Sequence, residues 1–333
     1  MKPVIFGLAG PTLSADERDF FREAAPAGYI LFKRNVENRT QLLALTDSLR
    51  ELAGRVDLAI LIDQEGGRVA RMQPPEWPAF PAGPAFDALY DVAPVSAIEA
   101  ARANAQAIAL TLAEVGITVD ALPLLDVAQS DTTEAIACRA LGREPMRVAA
   151  LGRAILDGLA AGGVVGIVKH MPGHGRAQLD THLALPRVNA SVEELEIDLE
   201  PFRTLNRAPM GMTSHIVFEA WDPDRPATLS PIVIDEVIRG QIGFDGLLMT
   251  DDIDMKALSG TPGEKAAGAI AAGCDVVLDC WARLPEMIEI ADRLGEISPP
   301  SRERLDRAMA GRTEPLGDLA ELIAKRDALL SLV

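Results

Sequence analysis

The heptapeptide VVGIVKH, residues 164–170, decides the fold. Three valines and an isoleucine run on with a single glycine among them, then stop abruptly at Lys169 and His170. A continuous β-branched run of this kind suits a strand covered on both faces, as in a parallel sheet. Strict alternation of apolar and polar residues would instead suit an antiparallel sheet with one wet face. Seven comparable runs lie around it: VIFGLAG from Val4, GYILF from Gly28, LAILID from Leu58, GITVD from Gly116, MGMTSH from Met210, GLLMTDD from Gly246 and DVVLDC from Asp275. Together they make eight, the number of strands that closes a parallel barrel.

The segments between these runs carry helix signals. Ser14 with Glu17, and Ser191 with Glu194, form capping-box patterns ahead of apolar residues. Residues 96–116 and 144–163 are rich in Ala and Leu and end at glycine. Beyond Pro299, SRERLDRAMAGR and LAELIAKRDALL read as additional helices packed outside the barrel. The expected fold is α/β, a single (β/α)8 TIM-type barrel with additional C-terminal helices, forming one domain over residues 1–333. A doubly wound open sheet is the alternative.

Polar residues fall where the apolar runs end. Asp63 follows LAILI, Asp126 follows LPLL, Lys169 and His170 follow VVGIV, His215 follows GMTS and Asp251 follows GLLMT. Any one of them could be a strand meeting water. In a barrel, however, the C-terminal strand ends converge on one mouth, where catalytic groups sit.

Composition narrows the class. Hydrophobic residues make up 48%, enough for an extensive core. Thirty-two Lys and Arg against 49 Asp and Glu give a net charge of -17, which argues against nucleic acid or an anionic membrane as partner. No apolar stretch reaches the roughly 20 residues of a membrane span, so a cytoplasmic location is expected. Cys138, Cys274 and Cys280 are odd in number and lack CxxC spacing, so they suggest neither a disulfide framework nor a thiolate zinc site.

Three chemistries compete for the polar ends. His170, His174 and His182 lie close in sequence, but HMPGHG contains Pro172, Gly173 and Gly175 and reads as a loop, so helical HExxH metal binding does not apply. A barrel hydrolase with His and Asp ligands stays open. Lys169 could form a Schiff base if its environment lowered its pKa, or could hold a substrate hydroxyl or carboxylate as a cation. In an extended loop Asp180 and His182 share a side, so the carboxylate could orient the imidazole and raise its pKa, making it an acid near neutral pH. Asp251, first after its apolar run, is placed to attack an anomeric carbon, while Asp252 and Asp254 could cap the next turn. In DQEGGRVARM (63–72), Gly66 and Gly67 allow a tight turn that returns Arg68 and Arg71 to the mouth. There Asp63 and Arg71 could grip sugar hydroxyls.

KHMPGHG, the following DTH, DQEGGRVAR and TDDIDM together resemble the β-N-acetylhexosaminidases of glycoside hydrolase family 3, the bacterial single-domain type that acts in peptidoglycan recycling. ILFKRN (30–35), CRALGREP (138–145) and MTSHIVFEAWDPDRPATLSP (212–231) extend the resemblance in order along most of the chain. It implies a retaining hydrolase without a cofactor that releases terminal N-acetylglucosamine from muropeptides and anhydromuramic acid conjugates; no metal and a monomeric state are separate expectations. Asp251 then matches the nucleophile, and His182 with Asp180 the general acid/base. Asp63, Arg71, Arg139, Lys169 and His170 match residues that hold the N-acetylglucosamine ring; His174 has no direct catalytic role. Met171 stands where the family usually has Phe, and RAQL precedes Asp180 where small or acidic residues are common. Attack by phosphate instead of water, and a sugar-binding barrel without turnover, are the competing functions.

Overall fold

The computed structural model describes residues 1–179, 181 and 184–333. Among them, eight parallel strands close a barrel: β1 (Lys2–Gly7), β2 (Pro26–Leu31), β3 (Ala59–Ile62), β4 (Val119–Asp120), β5 (Val165–Met171), β6 (Met210–Thr213), β7 (Leu247–Asp252) and β8 (Val276–Asp279). Each falls on one of the eight apolar runs. Every strand pairs with its neighbours in sequence, and β8 returns to β1 through Val4 opposite Val277 and Ile5 opposite Leu278, which excludes an open sheet. Beyond the two residues of β4 the pairing with β5 continues, the Ile167 N–H donating to the Leu122 carbonyl at 2.9 Å and the Leu125 N–H to the Lys169 carbonyl at 2.7 Å.

Two apolar layers hold the barrel. Inside it, Ile5, Ile30, Leu61, Ile167, Met249 and Leu278 belong to one buried cluster. The opposite strand faces and the surrounding helices form the other, with Phe6, Leu31, Ile60 and Val168 among its members. Both faces of each strand are therefore dry, the physical reason the runs lack alternation.

The capping boxes form as expected. The Ser14 hydroxyl accepts from Glu17 N–H at 3.1 Å and that of Ser191 from Glu194 N–H at 3.3 Å. The two Ala-rich helices span Pro94–Glu114 and Pro145–Ala161. The C-terminal segment departs from the expectation that all of it lies outside the barrel. Helix Pro299–Ala310 sends Leu305, Ala308 and Met309 into the interior cluster, and its Ser301 hydroxyl donates to Asp275, just ahead of β8, at 2.7 Å. It plugs the N-terminal end of the barrel. Helix Leu319–Leu330 does lie outside, where its Arg326 donates to Asn104 of helix Pro94–Glu114 at 3.1 Å. With one end closed, only the C-terminal ends of the strands are free to form a site.

Candidate active site

Those ends open onto a cavity of about 600 Å³, the size of a small-ligand site. Its wall on the β3–β5 side is a chain of paired charges. Glu65, 7% exposed, meets Lys169, 2% exposed, at 2.5 Å, and takes a bidentate pair from Arg139 at 2.6 and 2.7 Å. Asp63 continues the chain, 3.6 Å from Lys169 and 2.8 Å from Arg71. Burial alone would push the Glu65 carboxyl up, but Arg139 and Lys169 together hold it well below the usual carboxylate range.

A local fold presents these groups. The residue between Asp63 and Glu65 is Gln64, whose side-chain oxygen accepts from the N–H groups of Arg71 and Met72 at 2.9 and 3.0 Å. Its amide donates to the Met72 carbonyl at 2.8 Å, so one buried side chain ties the returning hairpin to the end of β3. Gly66 makes the turn with φ +101°, and a Cβ there would lie 2.3 Å from the Pro81 carbonyl oxygen. Asp120, at the end of β4 and fully buried, accepts from the Gln64 N–H at 2.9 Å through one oxygen; the other has no partner among the described residues. Burial raises the Asp120 pKa to about 8, so near neutral pH this carboxyl carries its proton.

Asp126 organises the next arc. Its carboxylate accepts from the His170 backbone N–H at 3.0 Å and the His174 backbone N–H at 2.8 Å, while its second oxygen lies 2.8 Å from His170 Nδ1. That contact leaves His170 Nε2 toward the cavity, which His170 lines. Burial would raise the Asp126 carboxyl, but His170 reverses the shift and brings it down to about 2. His174 packs edge-on against His170 with centroids 5.5 Å apart, and burial lowers its pKa to about 4.

Asp251 is the penultimate residue of β7 and is half-buried on the cavity surface. One of its oxygens accepts from the Asp252 backbone N–H at 2.8 Å. Burial would raise its pKa, yet His170, His215, that N–H and Lys169 outweigh burial and hold it below the usual aspartate value. It is therefore a carboxylate across the neutral range. His215 supports it from behind, fixed by Thr228 at 2.7 Å and by the Asp252 carbonyl at 2.9 Å. Asp252, beside it, accepts from the Trp281 indole at 3.0 Å, from Cys280 N–H at 3.3 Å and from Asp254 N–H at 3.2 Å, so the expected turn cap is one of three contacts.

The structure thus brings Asp63, Arg71, Arg139, Lys169, His170 and Asp251 to one cavity. Two other strand-end residues do not reach it: Asp126 and His215 are fully buried behind the groups they hold. Asp180 and His182 lie outside the described residues, as does the proposed hydrogen bond between them. Glu65, the hub of the charged wall, was not singled out from sequence. Its position two residues after Asp63 was the available signal, because alternate residues of extended chain share a side.

Comparison with known proteins agrees with this architecture. The family description "Glycosyl hydrolase family 3 N terminal domain" matches residues 7–309. A protein named Beta-hexosaminidase from Methylococcus capsulatus is 36% identical over 335 aligned positions, covering 98% of this chain and 94% of its own. The solved structure of NagZ from Neisseria gonorrhoeae in complex with N-trifluoroacetyl-D-glucosamine superposes with a TM-score of 0.88 at 32% identity, covering 99% of this chain and 98% of that one. A glycoside hydrolase family 3 β-N-acetylglucosaminidase from Paenibacillus sp. gives 0.83 at 34% identity; 98% of this chain aligns, spanning 61% of that longer protein.

Proposed function

The chain belongs to glycosyl hydrolase family 3 and is a β-hexosaminidase, and from that premise we propose that it releases terminal N-acetylglucosamine with retention of configuration, acting on peptidoglycan-derived muropeptides and anhydromuramic acid conjugates. The observation that carries the reading is Asp251: an ionised carboxylate on a rigid strand end, one oxygen held by a backbone N–H and the other free to meet an anomeric carbon.

In the first step Asp251 attacks C1 as the C1–O bond breaks, and His182 as imidazolium protonates the leaving oxygen. In the second, neutral His182 takes a proton from water, whose oxygen displaces Asp251 from C1. Asp180 orients the imidazole, and Thr181, between the two in sequence, lines the cavity. Asp63, Arg71, Arg139, Lys169 and His170 hold the sugar ring. The wall already pairs these charges with one another, so a sugar hydroxyl inserted among them meets donors and acceptors fixed in advance. N-trifluoroacetyl-D-glucosamine in the NagZ structure is a sugar of the same kind as the proposed glycone.

The test is hydrolysis of N-acetylglucosaminyl-anhydromuramic acid followed by proton NMR before mutarotation. The β-anomer should appear first, and Asp251→Ala should abolish its release. An α-anomer as first product, or an active Asp251→Ala protein, overturns the mechanism.

A further inference from the structure

Among the described residues, Trp281 is the one large aromatic at the cavity that stands mostly in the open, 54% exposed just past the end of β8. It is not free to swing. Its indole N–H donates to Asp252 at 3.0 Å, and Asp252 also accepts from the Cys280 N–H, so the ring is tied to the residue next to Asp251. The Arg283 guanidinium lies 5.5 Å from the ring centre and is itself paired with Asp254 at 2.6 Å and Glu286 at 2.7 Å. A rigid, backed indole exposed at a sugar site has the build of a stacking platform, because the C–H face of a pyranose packs well on an aromatic ring. Packing of the barrel does not require it.

The order of the strands says which sugar it meets. The polar wall spans β3, β4 and β5, Asp251 lies at the C-terminal end of β7 just before Asp252, and Trp281 follows β8, across the barrel from β4. A pyranose held at its 3- and 4-hydroxyls by the wall has its anomeric carbon at the far end of the ring, toward Asp251. In a β-glycoside the equatorial bond to the leaving oxygen continues that long axis, which carries the next residue onto the β8 side. We propose that Trp281 forms the floor of an aglycone subsite and selects a second saccharide ring over small leaving groups. The proposal rests on the N-acetylglucosaminidase reading above.

The experiment compares wild type, Trp281→Ala and Trp281→Phe on two substrates: N,N′-diacetylchitobiose, and N-acetyl-β-glucosaminyl fluoride, whose aglycone is a single atom. Free N-acetylglucosamine is titrated as inhibitor, and thermal melts accompany each variant. The ratio of kcat/KM for the disaccharide to that for the fluoride is expected to fall about tenfold in Trp281→Ala and much less in Trp281→Phe, which keeps a ring. Inhibition by free N-acetylglucosamine should keep its wild-type strength. A ratio that does not change, or a loss shared by both substrates and the inhibitor, overturns the subsite and assigns the indole to the glycone or to positioning Asp251. If the wild type turns over neither substrate, the N-acetylglucosaminidase reading fails and takes the subsite with it. A wild type active on both with an unchanged ratio removes the subsite alone.

Discussion

Lys169 and Glu65 face each other at 2.5 Å, and both are buried beneath the cavity wall. Neither charge would be tolerated there alone, and the half-buried Arg139 completes a triad with one carboxylate between two cations. The excess positive charge is balanced by Asp63, 3.6 Å from Lys169 and nearer the cavity surface. A substrate hydroxyl arriving at Asp63 and Lys169 therefore meets a network whose members are already oriented.

Replacing Glu65 by Gln should expose how much this network supports. Buried Lys169 and half-buried Arg139 would lose their shared anion, and breaking a buried pair such as Lys169–Glu65 costs about 3–5 kcal/mol. Urea unfolding at neutral pH should report a loss of that order. In the surviving folded fraction KM for an aryl N-acetylglucosaminide should rise more than kcat falls, since the wall acts on bound substrate and transition state alike. A variant as stable as wild type with unchanged KM would show that the triad is incidental to the site.

His174 and Asp120 should give the stability curve two hidden, opposed slopes. His174 is buried with its pKa lowered to about 4 from an ordinary value near 6.5, so below pH 6.5 the unfolded chain binds a proton that the folded protein refuses. That stability is complete above pH 6.5 and is lost as pH falls toward 4, about 3 kcal/mol in all. His174→Gln should therefore become more stable relative to wild type across that interval. Parallel curves would place the imidazole in contact with water.

Asp120 works the other way. Its pKa is raised to about 8, so the folded protein keeps a proton that the unfolded chain releases near pH 4. Its contribution is complete below pH 4 and is lost as pH rises through about 8. Asp120→Asn, which imitates the protonated form and keeps an oxygen for the Gln64 N–H, should match wild type in acid and exceed it in stability at pH 8. Stability curves measured by urea unfolding between pH 4 and 9 would show the crossing or its absence.

These cases also mark how far the sequence could be read. All eight strands were visible because each is dry on both faces, and that leaves a continuous apolar run. Lys169, His170 and Asp251 were visible because they interrupt such runs at the mouth. Glu65 was hidden by its partners: Lys169 and Arg139 are more than 70 positions away in sequence, and only barrel closure brings them together. Asp126 looked like one more group for the cavity, yet it is a support for His170, a distinction set by side-chain direction and not by position along a strand. The expectation for the C-terminal segment failed for a similar reason. Pro299–Ala310 has the composition of a surface helix, and its few apolar residues reach the barrel interior only because the N-terminal end of the barrel needs a plug.

Arg326 offers a last test, of support from outside the barrel. It is 5% exposed on helix Leu319–Leu330, donates to Asn104 at 3.1 Å and stands 5.7 Å from the Phe80 ring. The Phe80 carbonyl accepts from Gly67 N–H at 2.8 Å, next to the turn that carries Glu65. Asn104, Glu65 and Arg139 also line one small void of about 20 Å³, so the helix and the charged wall share neighbours. Arg326→Ala would leave the Asn104 oxygen buried without its donor and remove the cation from the Phe80 ring, a loss of about 2–3 kcal/mol. The variant should melt at a lower temperature, and its KM should rise with little change in kcat, because Arg326 touches the wall's supports and not the cavity. A lower melting temperature with wild-type KM would restrict the helix to stability, and an unchanged melting temperature would remove it from the site's support altogether.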